Sequence, residues 1–432
     1  MNVLQRWWGT QSFRTRIALI ATLGLLWRLY YVTLEQPYRI LTDEAWYVTQ
    51  AQRLFSPHPF TSLFDYNVPT AQHGPMMSLL ISPVAWLFPD ATAGLRFLVP
   101  LISVMTIVGF AVLGKQLISV RCGVVAASLA ALLPDFWIRD GLVVSESLSV
   151  ALLVWLLVLV VSFVREPRLR TAVLLGVVMG ALMLTRAECA GLCALLLAFL
   201  VWKLRNEWRR AARLSVIALL VSAVVVSPWL AFNATRFQGN VLIANNLGIT
   251  LAGANCHAAY YDGRYIGYDT PRCWNDAQRK ARSLSSDEAV QSSIMKSMAL
   301  DYAQAHATRI PLVMAMREAW LTGLYRPSYV VFMSSLGGQP RWATWVQLVS
   351  FWLLGLAALG LGLLKRTGRQ RLLDPLRGPI GLYVVFTLAL AAIFVGHWRY
   401  RSTLDIAAVL IIASRLATWP SRATLTPEQP PV

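Results

Sequence analysis

Long apolar runs separated by short polar or basic stretches dominate the sequence. Most of these runs approach the length of about 20 residues that a helix needs to cross the hydrocarbon core of a bilayer. The pattern predicts an all-α polytopic membrane protein with about ten transmembrane helices. The predicted spans are residues 16–34, 95–113, 124–137, 148–164, 173–201 (a hairpin of two helices), 214–232, 345–364, 380–395 and 404–417.

One apolar run does not fit a full crossing. Residues 76–88 are short for a span and are interrupted by Pro83. If this run crossed the membrane, every later cluster of basic residues would lie on the opposite side. We therefore expect an interfacial helix here, within the first outer loop.

The basic residues between the apolar runs predict the orientation of the chain. Arg14 and Arg16 precede the first span, and further Lys and Arg clusters follow alternate spans. Because basic residues are retained on the cytoplasmic side, both termini are predicted to be cytoplasmic. The same rule makes residues 35–94 and 233–341 outer loops. The first apolar run has no small-residue cleavage site after it, so we expect a retained span rather than a signal peptide.

The composition supports a membrane-embedded class. Of 432 residues, 56% are hydrophobic and only 14% are charged, which is more apolar surface than a soluble domain needs. The net charge of +18 lies in short clusters between apolar runs, so it indicates membrane orientation rather than nucleic-acid binding. We predict one transmembrane domain over residues 1–418 and a Pro-rich, disordered cytoplasmic tail over residues 419–432.

Two acidic sites lie at the same predicted face of the membrane. Asp43 and Glu44 follow the first span, and Glu146 lies between two serines before a later span. Each site alone has a simpler explanation, because acidic residues in a first helical turn complement the helix dipole. Their position at one membrane surface favours chemistry on a substrate that is delivered through lipid.

Basic side chains also occur at this face. Arg399 and Arg401 flank Tyr400 at the outer end of a predicted span. An anchor to lipid headgroups is the alternative, but such anchors usually lie on the cytoplasmic side, so the cluster favours a phosphate site. Arg186 and Glu188 share a tight turn, where a snorkelling arginine paired with its neighbour is the simpler interpretation.

Arg28 lies inside the first span, where a charge costs about 2.5–3.5 kcal/mol on insertion scales. It therefore needs a partner, and Glu35 or a bound phosphate are the candidates. His73, which precedes Gly74 and Pro75, is either a turn residue or a residue that contacts substrate.

The five cysteines fall into two groups. Cys256 and Cys273 lie in the second outer loop, an oxidising location, and are predicted to form a disulfide. Cys122, Cys189 and Cys193 lie in or beside spans and are expected to be packing residues. No spacing of Cys or His predicts a structural metal site.

The order of these motifs resembles the GT-C superfamily of membrane glycosyltransferases that use polyprenyl-phosphate sugars, in particular the protein O-mannosyltransferases and lipid A aminoarabinose transferases. The matching pieces are Asp43-Glu44, His73-Gly74-Pro75-Met76, Leu95-Arg96, Ser145-Glu146-Ser147, Leu184-Thr185-Arg186-Ala187-Glu188, Ser227-Pro228-Trp229, Asn245-Asn246-Leu247-Gly248 and Arg399-Tyr400-Arg401. Together they cover most of residues 17–415, although Gly74 and Ala187 stand where the family motifs have proline.

The resemblance implies a GT-C-like helical bundle that transfers a sugar from a polyprenyl-phosphate donor to a glycan, lipid or protein acceptor. The leaving phosphate needs its growing negative charge neutralised, which preorganised arginines do well. The residues expected to bind the donor phosphate are Arg399, Arg401, Arg186 and Arg28. The substrate-positioning residues are expected to be His73, Tyr400, Asn245 and Asn246.

The acceptor hydroxyl needs a base, and we assign this role to Asp43. Glu44 is expected to orient the sugar or the loop, and Glu146 to hold the acceptor or support Asp43. Direct displacement inverts the anomeric centre. No cofactor and no obligatory metal are expected, although two nearby carboxylates could hold a divalent cation.

Two other functions compete with this prediction. A flippase or other transporter of lipid-linked sugars would need charged or broken helices near the midplane and internal repeats, whereas the charges here crowd one face. A glycan polymerase or ligase would carry its working residues in a late outer loop, which the early position of Asp43 disfavours. We expect a multi-pass protein of a bacterial plasma (inner) membrane with its active site on the extracytoplasmic face.

Overall fold

The computed structural model describes residues 10–34, 40–90, 92–363 and 378–418. Within these ranges the regular structure is helical, and a single isolated bridge joins Thr61 to Pro69. The helices up to residue 234 are α1 (Phe13–Leu34), α2 (Thr42–Arg53), α3 (Met76–Leu87), α4 (Val99–Leu117), α5 (Val120–Leu132), α6 (Pro134–Trp137), α7 (Ser145–Arg165), α8 (Leu169–Thr185), α9 (Cys189–Lys203) and α10 (Trp208–Ala234).

The second half of the chain continues as helices of mixed length. They are α11 (Leu247–Ala254), α12 (His257–Tyr261), α13 (Pro271–Leu284), α14 (Glu288–Ala305), α15 (Ile310–Leu321), α16 (Pro327–Leu336), α17 (Arg341–Leu363), α18 (Pro379–Ile393) and α19 (Ser402–Thr418). Short 3-10 helices lie at Thr92–Leu98, Ile138–Gly141, Arg205–Glu207, Ala307–Arg309 and Trp398–Arg401.

Among the described residues, five helical segments are long and apolar enough to cross a membrane, and a sixth results if α5 and the bent segment after it form one span. The five are Phe13–Leu34, Thr92–Leu117, Ser145–Arg165, Arg205–Ala234 and Arg341–Gly362. Helices α8, α9 and α18 are apolar but shorter. The all-α prediction is confirmed, whereas the count of ten spans stays a prediction.

Helix α7 forms the centre of the bundle. It packs against α4 on one side and α8 on the other, and α8 in turn packs along α10. In α7, 78% of the most apolar window is buried within the protein, compared with 17% in α17. A helix that is apolar on all sides must be covered by protein or by lipid. Helix α7 is therefore an interior helix, and α17 exposes most of its apolar surface at the periphery.

Three expectations about the predicted loops can be compared with the structure. The run at residues 76–88 forms the 12-residue helix α3, too short for a full crossing. The segment predicted as the long polar loop 233–341 is largely helical and contains α11 to α16. Cys256 and Cys273 are joined there by a disulfide. Glu35 and the tail 419–432 lie outside the described residues.

Candidate active site

A cavity of about 280 Å³ collects most of the predicted polar residues. Its walls come from the first turns of α2 and α7, the turn between α8 and α9, and the segment before α19. Further residues come from the loop before α3 and from the segment between α10 and α13. Parts of the chain that are distant in sequence therefore place their side chains around one small space.

Asp43 lies in the first turn of α2 and faces this cavity with its side chain 29% exposed. Its Oδ2 accepts a hydrogen bond from Nη1 of Arg399 at 2.7 Å, and its Oδ1 lies 3.6 Å from Nε2 of His73. Burial raises the pKa of Asp43, but the charge of Arg399 and its hydrogen bond to the carboxylate outweigh burial and help to hold the pKa below its ordinary value. Asp43 is thus an ionised, accessible carboxylate.

His73 is held beside Asp43 by the close packing of its neighbour Gly74. A Cβ at Gly74 would overlap the carbonyl oxygen of Leu184, so only glycine lets this loop lie against the end of α8. Burial, followed by the charge of Arg399, keeps the pKa of His73 below its ordinary value even though Asp43 opposes the shift. His73 is therefore a neutral imidazole at pH 7.

Glu146 joins two arginines at the floor of the cavity. Its side chain is only 3% exposed, and its Oε1 lies 2.5 Å from Nη2 of Arg399 and 3.2 Å from Nη2 of Arg186. Arg186 also pairs with Glu188 at 3.3 Å and stacks over the ring of Tyr400. The α7 helix begins without a side-chain cap, so Glu146 holds arginines rather than capping the helix.

Arg399 is positioned by contacts to its backbone. It lies in the 3-10 helix Trp398–Arg401, where the side chain of His397 accepts a hydrogen bond from the amide of Arg399. Nη1 of Arg139 donates to the carbonyl oxygen of Arg399 at 2.9 Å. With its backbone fixed, the guanidinium of Arg399 reaches both Asp43 and Glu146.

Arg401 does not line the cavity, contrary to the sequence expectation. Its side chain is fully buried and donates to Oδ1 of Asp135 from Nη2 at 3.1 Å and from Nε at 3.3 Å. A 3-10 helix has three residues per turn, so residues two apart point to different sides. The Arg-Tyr-Arg element therefore places Arg399 in the cavity and Arg401 in the protein interior.

Two other predicted residues lie away from the cavity. Arg28 is fully buried, and its Nε donates to Oδ2 of Asp140 at 2.9 Å while its Nη atoms donate to backbone carbonyls. Among the described residues its charged partner is therefore Asp140. Oε1 of Glu44 accepts a hydrogen bond from the amide of Val143 at 2.5 Å, so Glu44 ties α2 to the loop before α7.

The predicted substrate-positioning residues separate into two groups. Tyr400 and Asn246 line the cavity, as His73 does. Asn245 is buried and does not line the cavity. Its backbone N–H donates a hydrogen bond to the carbonyl oxygen of Ala71, and its side-chain Nδ2 donates to Oε1 of Glu288 at 3.3 Å. Asn245 therefore joins the loop before α3 to α14 and does not face the space.

Several residues of the cavity were missed from the sequence. Tyr47 lies one turn after Asp43 on α2, and that four-residue spacing could have identified it. Asp269 comes from the segment between α12 and α13, and no motif pointed to it. His397, which precedes the Arg-Tyr-Arg element, also lines the cavity.

Across the part of the chain that the structure describes, there is no group of three or more His, Cys, Asp or Glu side chains arranged to hold a metal ion. In the cavity, Arg399 bridges the carboxylates of Asp43 and Glu146. The arrangement combines an ionised carboxylate with two fixed guanidinium groups, which suits the binding of an anion and the removal of a proton.

The sequence matches one known family over part of its length. Residues 72–232 match the family described as dolichyl-phosphate-mannose-protein mannosyltransferase. This segment contains His73, Glu146 and Arg186. No curated protein matches the chain in sequence.

Solved structures share the fold at low sequence identity. The oligosaccharyltransferase AglB from Archaeoglobus fulgidus, in complex with an inhibitory peptide and a dolichol-phosphate, is 17% identical with a TM-score of 0.53 over 96% of this chain and 50% of that one. An Archaeoglobus fulgidus oligosaccharyltransferase in complex with Zn and sulfate is 16% identical with a TM-score of 0.50 over 92% and 48% of the two chains. ArnT from Cupriavidus metallidurans, bound to undecaprenyl phosphate, is 16% identical with a TM-score of 0.45 over 93% and 77%.

This chain spans about half the length of the two oligosaccharyltransferases. The similarity to the two oligosaccharyltransferases shows a common fold, and residues 72–232 are also similar in sequence to the matched family. The helical bundle with its apolar helices is that of a multi-pass membrane protein. The comparisons therefore show a sequence similarity over residues 72–232 and a fold shared with the archaeal oligosaccharyltransferases.

Proposed function

We propose that this protein is an inverting glycosyltransferase that moves a sugar from a polyprenyl-phosphate donor to an acceptor hydroxyl. The observation that carries the proposal is the contact of one guanidinium, Arg399, with both Asp43 and Glu146 in a small polar cavity. AglB from Archaeoglobus fulgidus was solved in complex with a dolichol-phosphate, and we extend that class of lipid carrier to this chain. The acceptor is a glycan, lipid or protein of the cell envelope.

Arg399 and Arg186 are the residues that bind the donor phosphate. When the sugar leaves, the phosphodiester becomes a phosphomonoester and gains a negative charge, so fixed positive charge lowers the barrier. Both guanidiniums line the cavity and are held by carboxylates beneath them, which removes the need to reorganise during the reaction. Arg401 and Arg28 have no part in this step because they are buried against Asp135 and Asp140.

Asp43 is the base. The acceptor oxygen attacks the anomeric carbon, the bond from that carbon to the phosphate oxygen breaks, and the hydroxyl proton passes to Asp43. The carboxylate is ionised and partly exposed in the cavity, so it can reach an incoming hydroxyl. Attack opposite to the leaving phosphate inverts the configuration at the anomeric carbon.

Glu146 has a supporting role rather than contact with the acceptor. It is almost fully buried, and its carboxylate is occupied by Arg399 and Arg186. Its role is to hold the guanidinium groups of Arg399 and Arg186 where both can contact the same phosphate. Glu44, bonded to the amide of Val143, fixes the loop rather than the sugar.

We place the cavity at the extracytoplasmic face of a bacterial plasma membrane. Basic residues are retained on the cytoplasmic side, and Arg14 and Arg16 lie in the first turn of α1 whereas Asp43 follows its other end. A donor carried by a polyprenyl chain then reaches the cavity from the lipid.

The test is the release of free polyprenyl phosphate by purified protein in lipid nanodiscs. The donor fraction is the lipid-linked sugar pool extracted from membranes of the source cells, with the envelope fraction of the same cells as acceptor. Asp43→Asn should lower turnover by on the order of 10²–10⁴-fold, the effect expected for a lost general base. Asp301→Asn, an exposed change on α14, should be silent. No release by the wild-type protein, or normal turnover in Asp43→Asn, would reject the proposal.

A further inference from the structure

Asp269 is a buried carboxyl group that the mechanism above does not use. It lines the cavity wall, and its relative exposure is only 7%. Its Oδ1 has no hydrogen-bond partner among the described residues. A buried polar atom without a partner costs about 1–3 kcal/mol, so its presence at a cavity surface indicates a group that is satisfied by a ligand.

The positive charges near Asp269 are too weak to offset the effect of burial on its pKa. Burial raises the pKa of Asp269 to about 7. A hydrogen bond from its own backbone to the carboxyl group and the charges of Arg317 and Arg399 oppose this shift but do not cancel it. A carboxyl group near that pKa is able both to donate and to accept a hydrogen bond. That property suits a ligand hydroxyl, which also does both.

Trp274 lies five residues further along the same wall. Its indole ring is half-buried at the cavity and packs against Gly253, where a Cβ would overlap the ring. An aromatic face beside a hydrogen-bonding group is a common arrangement for a ring that is apolar on one side and polar at its edge. A sugar ring has this character.

The wall is held in place by three local restraints. The hydroxyl of Thr270 accepts a hydrogen bond from the amide of Cys273 and caps α13. The amide of Thr270 donates to the carbonyl oxygen of Gly253 at 3.2 Å. The disulfide between Cys273 and Cys256 ties the residue next to Trp274 to the end of α11. The segment is therefore a preorganised surface rather than a free loop.

We propose that Asp269 and Trp274 recognise the sugar ring of the donor, with the Asp269 carboxyl bonded to a ring hydroxyl and the indole stacked on the apolar face. This inference rests on the proposed function and names the part of the same cavity that selects the sugar. The donor ring is the occupant because Asp269 interacts electrostatically with Arg399 and Tyr400, which lie on the phosphate side. Both residues lie outside the family-matched segment 72–232, as expected for a surface that distinguishes one sugar from another.

The experiment measures which lipids the full-length protein retains. Immobilised wild-type protein and variants are incubated with the lipid-linked sugar pool from source membranes, and the eluted lipids are identified by mass. The readout is the ratio of sugar-bearing to bare polyprenyl phosphate. Asp269→Leu and Trp274→Ala should lower this ratio by about tenfold, since each loses about one specific contact. Asp301→Asn, the exposed control, should not change it.

A stability measurement separates recognition from folding. Because Asp269 has an unsatisfied oxygen, Asp269→Leu should leave the melting temperature unchanged or raise it, whereas a structural carboxylate would show a clear loss. Asp269→Asn serves as a second variant of nearly the same shape if the leucine variant does not fold. An unchanged lipid ratio in folded variants would overturn the inference.

The lipids that the wild-type protein retains distinguish a failure of sugar recognition from a failure of the proposed function. If wild-type protein retains bare polyprenyl phosphate but no sugar-bearing form, the lipid-phosphate site stands and sugar recognition by Asp269 and Trp274 is refuted. If it retains neither lipid, the proposed function itself fails and the inference fails with it.

Discussion

Replacing Glu146 by glutamine removes the charge that holds two arginines together. Glu146 Oε1 lies 2.5 Å from Arg399 and 3.2 Å from Arg186, and the carboxylate is 3% exposed. Breaking a buried ion pair costs about 3–5 kcal/mol. Because glutamine keeps one acceptor oxygen and Asp43 still pairs with Arg399, we expect the lower end, about 3 kcal/mol of unfolding free energy.

The matched control is Glu188→Gln. Glu188 also pairs with Arg186, at 3.3 Å, but it is 31% exposed and has only this one cationic partner among the described ion pairs. An exposed pair contributes about 0–1 kcal/mol, so this variant should lose no more than that. The two substitutions remove the same charge from the same neighbourhood and differ in burial and in the number of arginines held.

Stability is measured by reversible unfolding of the purified protein in mixed micelles with increasing SDS, and turnover by release of polyprenyl phosphate. Glu146→Gln should also lower turnover by on the order of 10²-fold, because Arg399 is no longer fixed toward the phosphate. If both variants lost less than about 1 kcal/mol, the assignment of Glu146 as the support of the two arginines would be wrong.

Four further predictions follow from the structure. Arg399→Lys should lower turnover by on the order of 10²–10³-fold, because one ammonium cannot span two carboxylates and a phosphate; near-normal turnover would contradict this. Arg401→Lys should lower the free energy of unfolding by about 1–3 kcal/mol without changing the retention of polyprenyl-phosphate lipids. A loss of lipid retention without a loss of stability would show that Arg401 binds the donor. Gly74→Ala should destabilise the protein by about 1–3 kcal/mol in thermal unfolding, since its Cβ meets backbone. Peptide mapping without reductant should recover Cys256 and Cys273 as one linked fragment, and two free thiols would contradict the structure.

The sequence predicted well where side-chain chemistry and membrane topology coincide. Asp43, Glu146 and Arg399 are charged residues at the ends of apolar runs, and the structure brings both carboxylates within hydrogen-bond distance of Arg399. The short apolar run at residues 76–88, interrupted by Pro83, also predicted an element too short for a crossing, and α3 has 12 residues.

The errors came from geometry that a linear pattern does not contain. Arg401 shares a motif with Arg399, but the short turn of a 3-10 helix sends its side chain into the interior. Arg28 pairs with Asp140, a residue 112 positions away, so no local pattern could reveal it. Asp269 lies in a segment whose polar composition predicted a loop, and only the folded chain shows that it faces the cavity.

In the proposed mechanism, the ion pair between Asp43 and Arg399 makes the base and the donor phosphate compete for one cation. Without donor, the guanidinium keeps Asp43 a poor proton acceptor, so a water molecule that enters the cavity meets a weakened base. An arriving phosphodiester takes part of that positive charge and thereby increases the basicity of Asp43. Donor binding would then prepare Asp43 for the acceptor hydroxyl, and Asp43 would be a strong proton acceptor only while a donor occupies the cavity.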